Sequence, residues 1–143
     1  MGEVMVDRYC NIKYLIRLCI ANKAGCMSVY HYFCNNMSPS DISRKMGVSK
    51  HVVRGYIQRG ERGVKDLLVM GTDPCRIMYT INSMFLVDSS DGMYKCPICG
   101  RKVESKGSLM AHVRIDHKDV VDNIITNMIL KEVAGKPTPT QSS

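Results

Sequence analysis

A chain of 143 residues with 45% hydrophobic content is long enough for one ordinary folded domain and a small appendage. Its formal net charge of +7 is concentrated: residues 39–65 carry seven bases against two acids and residues 94–117 five against two, whereas residues 66–93 are net acidic, a distribution that suits a phosphate-bearing partner. Arg17 interrupts the longest apolar run near the N-terminus, which falls well short of the roughly 18 to 20 residues of a membrane span, and no secretory leader is evident, so the expected location is cytoplasmic.

In chain order, residues 4 to 22 place Tyr9, Ile12, Ile16, Cys19 and Ile20 on one stripe, the pattern of an amphipathic helix ending before Gly25. Met27 to Asn35 mixes strand-favouring Val, Tyr and Phe with a length and position that suit a short helix, and the helix is preferred. His31 in that segment has no acid or nucleophile pattern around it and reads as a core or surface histidine.

The next run carries more information. Ser38 is a good N-cap, Pro39 suits the first helical position, and Asp41 favours the positive helix end. Ile42 and Met46 share a face, Gly47 offers a left-handed turn, and Ser49 caps a second helix whose Val53 and Ile57 return to the core. Two short helices joined through Gly47-Val48-Ser49 resemble the helix-turn-helix of winged-helix transcription regulators, here over residues 38–62. The resemblance implies that the second helix enters the major groove of double-stranded DNA. Lys50, His51, Arg54 and Gln58 project away from Val53 and Ile57; Arg54 suits a bidentate guanine contact and Lys50 a phosphate, with Arg44, Arg59 and Arg62 as further DNA contacts. Gly55 interrupts that helix, weakening it by about 1 kcal/mol relative to Ala or admitting the DNA backbone.

Beyond Gly63, Val64 to Met70 and Arg76 to Ile81 read as two strands joined by a turn at Gly71 to Cys75, which would be the wing over residues 64–82, with Arg76 the only cation of its turn and second strand. A winged helix-turn-helix domain over residues 1–87 and a linker over 88–93 follow from this reading.

The most specific signal is Cys96-x2-Cys99, twelve residues, His112, four residues, His117. Zinc prefers four soft or borderline ligands in a tetrahedron, and this spacing supplies two thiolates from a tight turn and two imidazoles from one helical face. Tyr94, Val103 and Leu109 provide a minimal core. Residues 94–117 therefore resemble a Cys2His2 zinc finger, a ββα unit, which implies one structural Zn2+. The helix positions that read bases in that family fall on Ser105, Gly107, Ser108 and Ala111. None of them makes a strongly discriminating bidentate contact, so a structural or docking role is preferred over base readout. Lys95, Arg101, Lys102, Lys106 and Arg114 remain available for phosphates.

Val120, Val121, Ile124, Ile125, Met128, Ile129 and Val133 repeat at helical intervals over residues 118–134, continuing from the finger helix with a distortion near His117. That stripe must pack on the helix-turn-helix core or on a second copy of the chain, and a homodimer through 118–134 is favoured. Residues 135–143 read as a disordered tail. Cys10, Cys19, Cys26, Cys34 and Cys75 form no second metal spacing and read as buried free thiols, disulfides being the alternative.

Together these readings describe a mainly helical α+β chain: a winged helix-turn-helix, one ββα zinc finger and a C-terminal amphipathic helix. The expected function is a sequence-specific double-stranded DNA-binding transcription regulator, similar to small regulators of archaea and of their viruses and plasmids. A non-specific DNA or RNA binder and a zinc-stabilised protein-interaction adaptor are the alternatives. No membrane or small-molecule partner is expected. An enzyme is the least favoured reading, because protein ligands fill all four zinc positions and no nucleophile, paired-carboxylate or phosphate-loop pattern occurs elsewhere.

Overall fold

The computed structural model describes the backbone of residues 2–131 and side chains from Tyr9 onward. Seven helices run through it: α1 (Gly2–Ala21), α2 (Lys23–Cys34), α3 (Pro39–Met46), α4 (Lys50–Val69), α5 (Pro74–Met84), α6 (Lys106–Asp116) and α7 (Lys118–Ile124). A π-helical segment, Ile125–Leu130, prolongs α7. Between α5 and α6 lies an antiparallel sheet of β1 (Asp88–Ser90), β2 (Met93–Lys95) and β3 (Lys102–Val103), in the order β1-β2-β3.

Helix α1 is the centre of the molecule and packs on α2, α4, α5, α6 and α7. Ile12, Ile16, Cys19 and Ile20 of the expected stripe are buried, and so are Leu15 and Leu18. A helix that is apolar nearly all round needs neighbours on most sides. Segment Met27–Asn35 falls within and just beyond α2, as preferred from the sequence, with Val29 and His31 buried. His31 Nδ1 lies 2.9 Å from Asn35 Nδ2. Burial lowers the His31 pKa, as does the charge of Lys45, which keeps the ring neutral and able to accept from that amide.

Helices α3 and α4 form with the local chemistry read from the sequence. Ser38 Oγ accepts from Asp41 N and Ser49 Oγ from Val52 N, Gly47 takes φ +68°, and Ile42 and Val53 are fully buried between the helices. Ser43 Oγ donates to the Val48 carbonyl at 2.6 Å, locking the turn.

The wing is absent from residues 64–82. Val64 to Val69 prolongs α4, and Arg76 to Ile81 lies in α5. Val64 and Leu67 are buried on one helical face, and Ile77, Met78 and Ile81 on another, so period 3.6 describes both segments better than period 2. Asp73 Oδ1 accepts from Cys75 N and Arg76 N, with Pro74 beginning the helix. That is the same cap-then-proline chemistry that starts α3. The presumed linker 88–93 is also structured: Asp91 at φ 56° and Gly92 at φ 74° close a two-residue hairpin in which Ser90 pairs with Met93.

Two glycines of α4 are packing devices. A Cβ on Gly60 would lie 2.7 Å from Val29 Cγ2, and one on Gly63 2.7 Å from the Asn11 carbonyl oxygen and 3.0 Å from Leu15 Cβ. Their bare backbone lets α4 lie directly on α2 and α1. Gly55 differs, since a Cβ there meets no backbone and no core side chain, only the far end of the Arg59 side chain at 3.2 Å. We expect Gly63→Ala to destabilise the fold by about 1–3 kcal/mol. By contrast, Gly55→Ala should stabilise it by roughly 0.5–1 kcal/mol. Denaturant midpoints of the two variants decide the matter, and equal shifts of the same sign would contradict this packing.

The C-terminal stripe is buried by the chain's own core. Val121, Ile124, Ile125 and Ile129 belong to the same cluster as α1, and Lys13 Nζ on α1 pairs with Asp122 Oδ1 at 3.3 Å. The argument for a homodimer seam over 118–134 therefore falls away, because its apolar face already has a partner. Finger and C-terminal helices are separate, broken at His117 (φ −121°, ψ 33°). Val133 and the tail 135–143 lie outside the described residues.

Four of the cysteines read as free thiols are paired. Cys19–Cys26 staples the α1–α2 junction, and Cys34–Cys75 ties the end of α2 to the start of α5. Cys10 is exposed and unpaired. No described helix is long and apolar enough to cross a membrane.

Candidate metal centre and nucleic-acid face

A hairpin and a helix bring the four zinc ligands together. Strand β2 ends at Lys95, and Cys96 to Gly100 turn tightly, with Gly100 N donating to the Cys96 carbonyl (2.9 Å), Cys96 N to that of Arg101 (2.7 Å) and Gly100 at φ 82°. Ser105 caps α6 through Ser108 N, and that helix presents His112 one turn before its end and His117 at its C-cap. The ligand atoms of Cys96, Cys99, His112 and His117 all lie within 4.8 Å of one another. Cys99 Sγ is 3.2 Å from His112 Nε2, which is 3.2 Å from His117 Nε2.

Those short separations are the fit test. A tetrahedral zinc with bonds of about 2.0 to 2.1 Å to nitrogen holds two nitrogens about 3.3 Å apart. The two imidazole nitrogens stand at that tetrahedral edge, so the donors converge on one centre. The site binds one zinc ion through two sulfurs and two nitrogens, the softness and coordination number that zinc takes in structural sites.

The surroundings prepare the ligands. The backbone N–H of Arg101 favours the Cys99 thiolate, and with help from the two histidines lowers its pKa to about 6. Burial pushes the Cys96 thiol the other way, and zinc coordination deprotonates such a thiol outright. His112 Nδ1 lies 2.8 Å from Asp116 Oδ2, which also faces Arg101 Nη1 at 3.7 Å. This carboxylate fixes the ring orientation that leaves Nε2 for the metal.

Residues 94–117 match the family described as zinc finger, C2H2 type. The match covers the ββα unit and leaves the helical body without a family, and no curated protein and no solved structure matches the chain. Zinc-dependent binding of nucleic acid or protein is the functional class this supports.

The other sequence-selected residues divide into groups. On α4, His51, Arg54, Gln58 and Arg59 surround one depression of about 420 Å³. A larger one of about 600 Å³ adds Arg62 on α4 and Cys10, Asn11, Tyr14 and Arg17 on α1. Arg59 Nε donates to Tyr14 Oη at 3.3 Å and its guanidinium lies 5.6 Å from the Tyr56 ring centre, so it is held rather than free. Lys50 is exposed in the first turn of α4, and Arg44 is exposed but ion-paired with Asp41. Arg76 belongs to α5, not to a wing, and lines neither depression.

On the finger, Lys95 and Lys102 are exposed on β2 and β3 and Arg101 faces Asp116. Lys106 instead lines a cleft of about 260 Å³ with Ala21, Asn22 and Met46 of the helical body, and Arg114 lines another with Lys13 and Arg17. Ser105, Gly107 and Ser108 are exposed, whereas Ala111 is half-buried. Sequence reasoning passed over Arg17. Its signal was present as the one charge inside the apolar run Tyr14 to Ala21, where it was taken only as an interruption.

Proposed function

We propose that the protein is an intracellular double-stranded DNA-binding regulator of transcription, with α4 as recognition helix and the zinc finger as a structural module docked on α1. The observation that carries this reading is the exposed face of α4. His51, Arg54 and Gln58 share one depression beside the capped N-terminal turn, and among the described residues none of them is tied up in an ion pair. Major-groove reading by a helix needs such a row of free donors near its N-terminus.

The finger's contribution is scaffolding. Its helix packs on α1, and its family reading positions hold Ser, Gly, Ser and Ala, which lack bidentate donors for guanine. Four protein ligands complete the zinc shell, which supports binding rather than catalysis.

Arg54→Ala should weaken binding to a selected duplex site by about 1–3 kcal/mol and relax the base preference at one position. The site itself comes from selection out of random duplexes with zinc-loaded protein at near-physiological salt. Unchanged affinity and preference in a folded Arg54→Ala protein would remove α4 as the reader. Retention of duplexes without an enriched motif would favour a charge-driven binder, which the basic depressions along α4 and α1 also suit.

A further inference from the structure

Three surface depressions share lining residues and so form one furrow. The first, on α4, passes through Gln58 and Arg59 into the second, which passes through Arg17 of α1 into a third. This last cleft, about 140 Å³, is lined by Lys13, Arg17, Arg114, Lys118, Val121 and Asp122, where the finger helix and α7 meet α1. Acids on the furrow are already engaged: Glu61 pairs with Lys65 at 3.3 Å and Asp122 with Lys13 at 3.3 Å. Among the described residues, neither Arg17 nor Arg114 has a carboxylate partner.

We propose that Arg17 and Arg114, with Lys118 beside them, form a clasp for a backbone phosphate of duplex DNA, extending the α4 face across α1 to the finger. The proposal rests on the reading of α4 as a DNA-contacting helix. Arg17 is half-buried on the central helix, where desolvation and the neighbouring charge of Arg114 both disfavour its cation. Arg17 and Arg114 line one cleft whose single acid, Asp122, is paired with Lys13, so an anion lying between the two guanidiniums would relieve their repulsion. Guanidinium geometry matches phosphate oxygens through paired N–H donors, and the cleft is of the size for one phosphate with a little water.

A second consequence concerns zinc. Arg114 stands on the finger helix two residues after His112, so the metal that folds the finger also places half of the clasp. The finger would then support DNA affinity without touching a base.

The test uses the full zinc-loaded chain and duplex DNA, read by fluorescence anisotropy across a salt series. Arg17→Gln and Arg114→Gln should each weaken binding about tenfold, the worth of one charge-assisted hydrogen bond. The loss should be the same for every duplex sequence, with the salt slope reduced by about one. Because both residues hold one phosphate, the double variant should be little weaker than either single one. Folded, zinc-bound variants that keep the parent's affinity and salt slope overturn the clasp. If Arg17→Gln does not fold, the exposed Arg114→Gln decides alone. Loss in the clasp variants with none in Arg54→Ala upholds the clasp and rejects α4 as reader, whereas loss only in Arg54→Ala does the reverse. A parent that binds single-stranded RNA but no duplex overturns the duplex clasp.

Discussion

Cys96→Ser, or stripping the metal with a strong chelator, is expected to unfold residues 94–117 while leaving α1 to α5 folded. The finger's apolar residues are few, Tyr94, Val103, Leu109 and Val113 with the half-buried Ile98 and Met110, around a sheet whose β2–β3 ladder spans two residue pairs. A segment that small cannot offset the entropy of ordering its chain, and structural zinc supplies about 10–16 kcal/mol in finger peptides at neutral pH. The helical body has its own core of Ile12, Leu15, Val29, Val64, Leu67 and Ile77, to which the metal contributes nothing directly. Helix α6 does rest on α1 through the shared cluster that includes Val113, so the loss exposes part of α1 and lowers the stability of the body as well.

Amide hydrogen exchange separates these effects. Protection at Leu109 and Val113 should collapse on chelation, protection along α1 and α4 should persist at a reduced level, and zinc analysis of the untreated protein should return one ion per chain. Undiminished protection of α6 in the metal-free chain would mean that contacts with α1 hold the finger, against the expectation. If the clasp is correct, the same treatment also flattens the salt dependence of DNA binding, because Arg114 loses its place.

The second large effect concerns the bridge between Cys34 and Cys75. It closes a separation of 41 residues, and in the chain-entropy account a loop of that length is worth about 4 kcal/mol through restriction of the unfolded chain. The Cys19–Cys26 bridge closes only 7 residues and is worth about 2 kcal/mol on the same basis. The long bridge also encloses the entire helix-turn-helix, so its loss loosens the frame on which α4 is held.

A Cys34→Ser, Cys75→Ser protein should therefore melt on the order of 10 °C lower than the parent, with zinc kept saturating so that the finger is not confounded. Alkylation of the unreduced parent under denaturing, metal-free conditions, read by mass, should modify Cys10, Cys96 and Cys99 and leave the four bridged cysteines unmodified. A melting point within a degree or two of the parent, or free thiols at both positions, would show that the bridge does not form in solution.

How much of this was legible in the sequence can be traced residue by residue. The zinc site was readable because its information is local: ligand type, the two-residue and four-residue gaps, and three small core positions all fall within 24 residues. The helix-turn-helix elements were readable for the same reason, since Ser38, Pro39, Gly47 and Ser49 satisfy backbone groups of their own neighbours. The false wing arose where local signals compete. Arg76 to Ile81 is rich in strand-favouring Ile, Tyr and Thr, Val64 and Val69 bracket the segment before Gly71, and Asp73-Pro74 suits a turn as well as a helix start. Only the packing of Val64 and Leu67 into the common core, and of Ile77 and Ile81 beside it, chose helix for both.

The remaining corrections share one physical cause, which is that they depend on partners distant in the chain. Gly60 and Gly63 mark a close approach only once Val29 and Asn11 are seen against them. Cysteine pairing depends on bringing Cys34 to Cys75, and the stripe Val121 to Ile129 needs no second copy because α1 lies beneath it. Arg17 gained significance only when α6 set Arg114 beside it. The sequence by itself determined the zinc ligands, the caps and the charged face of α4, because covalent spacing and local hydrogen bonding specify them. Tertiary structure decided which surfaces are covered and which charges meet, because burial and electrostatics depend on neighbours in space.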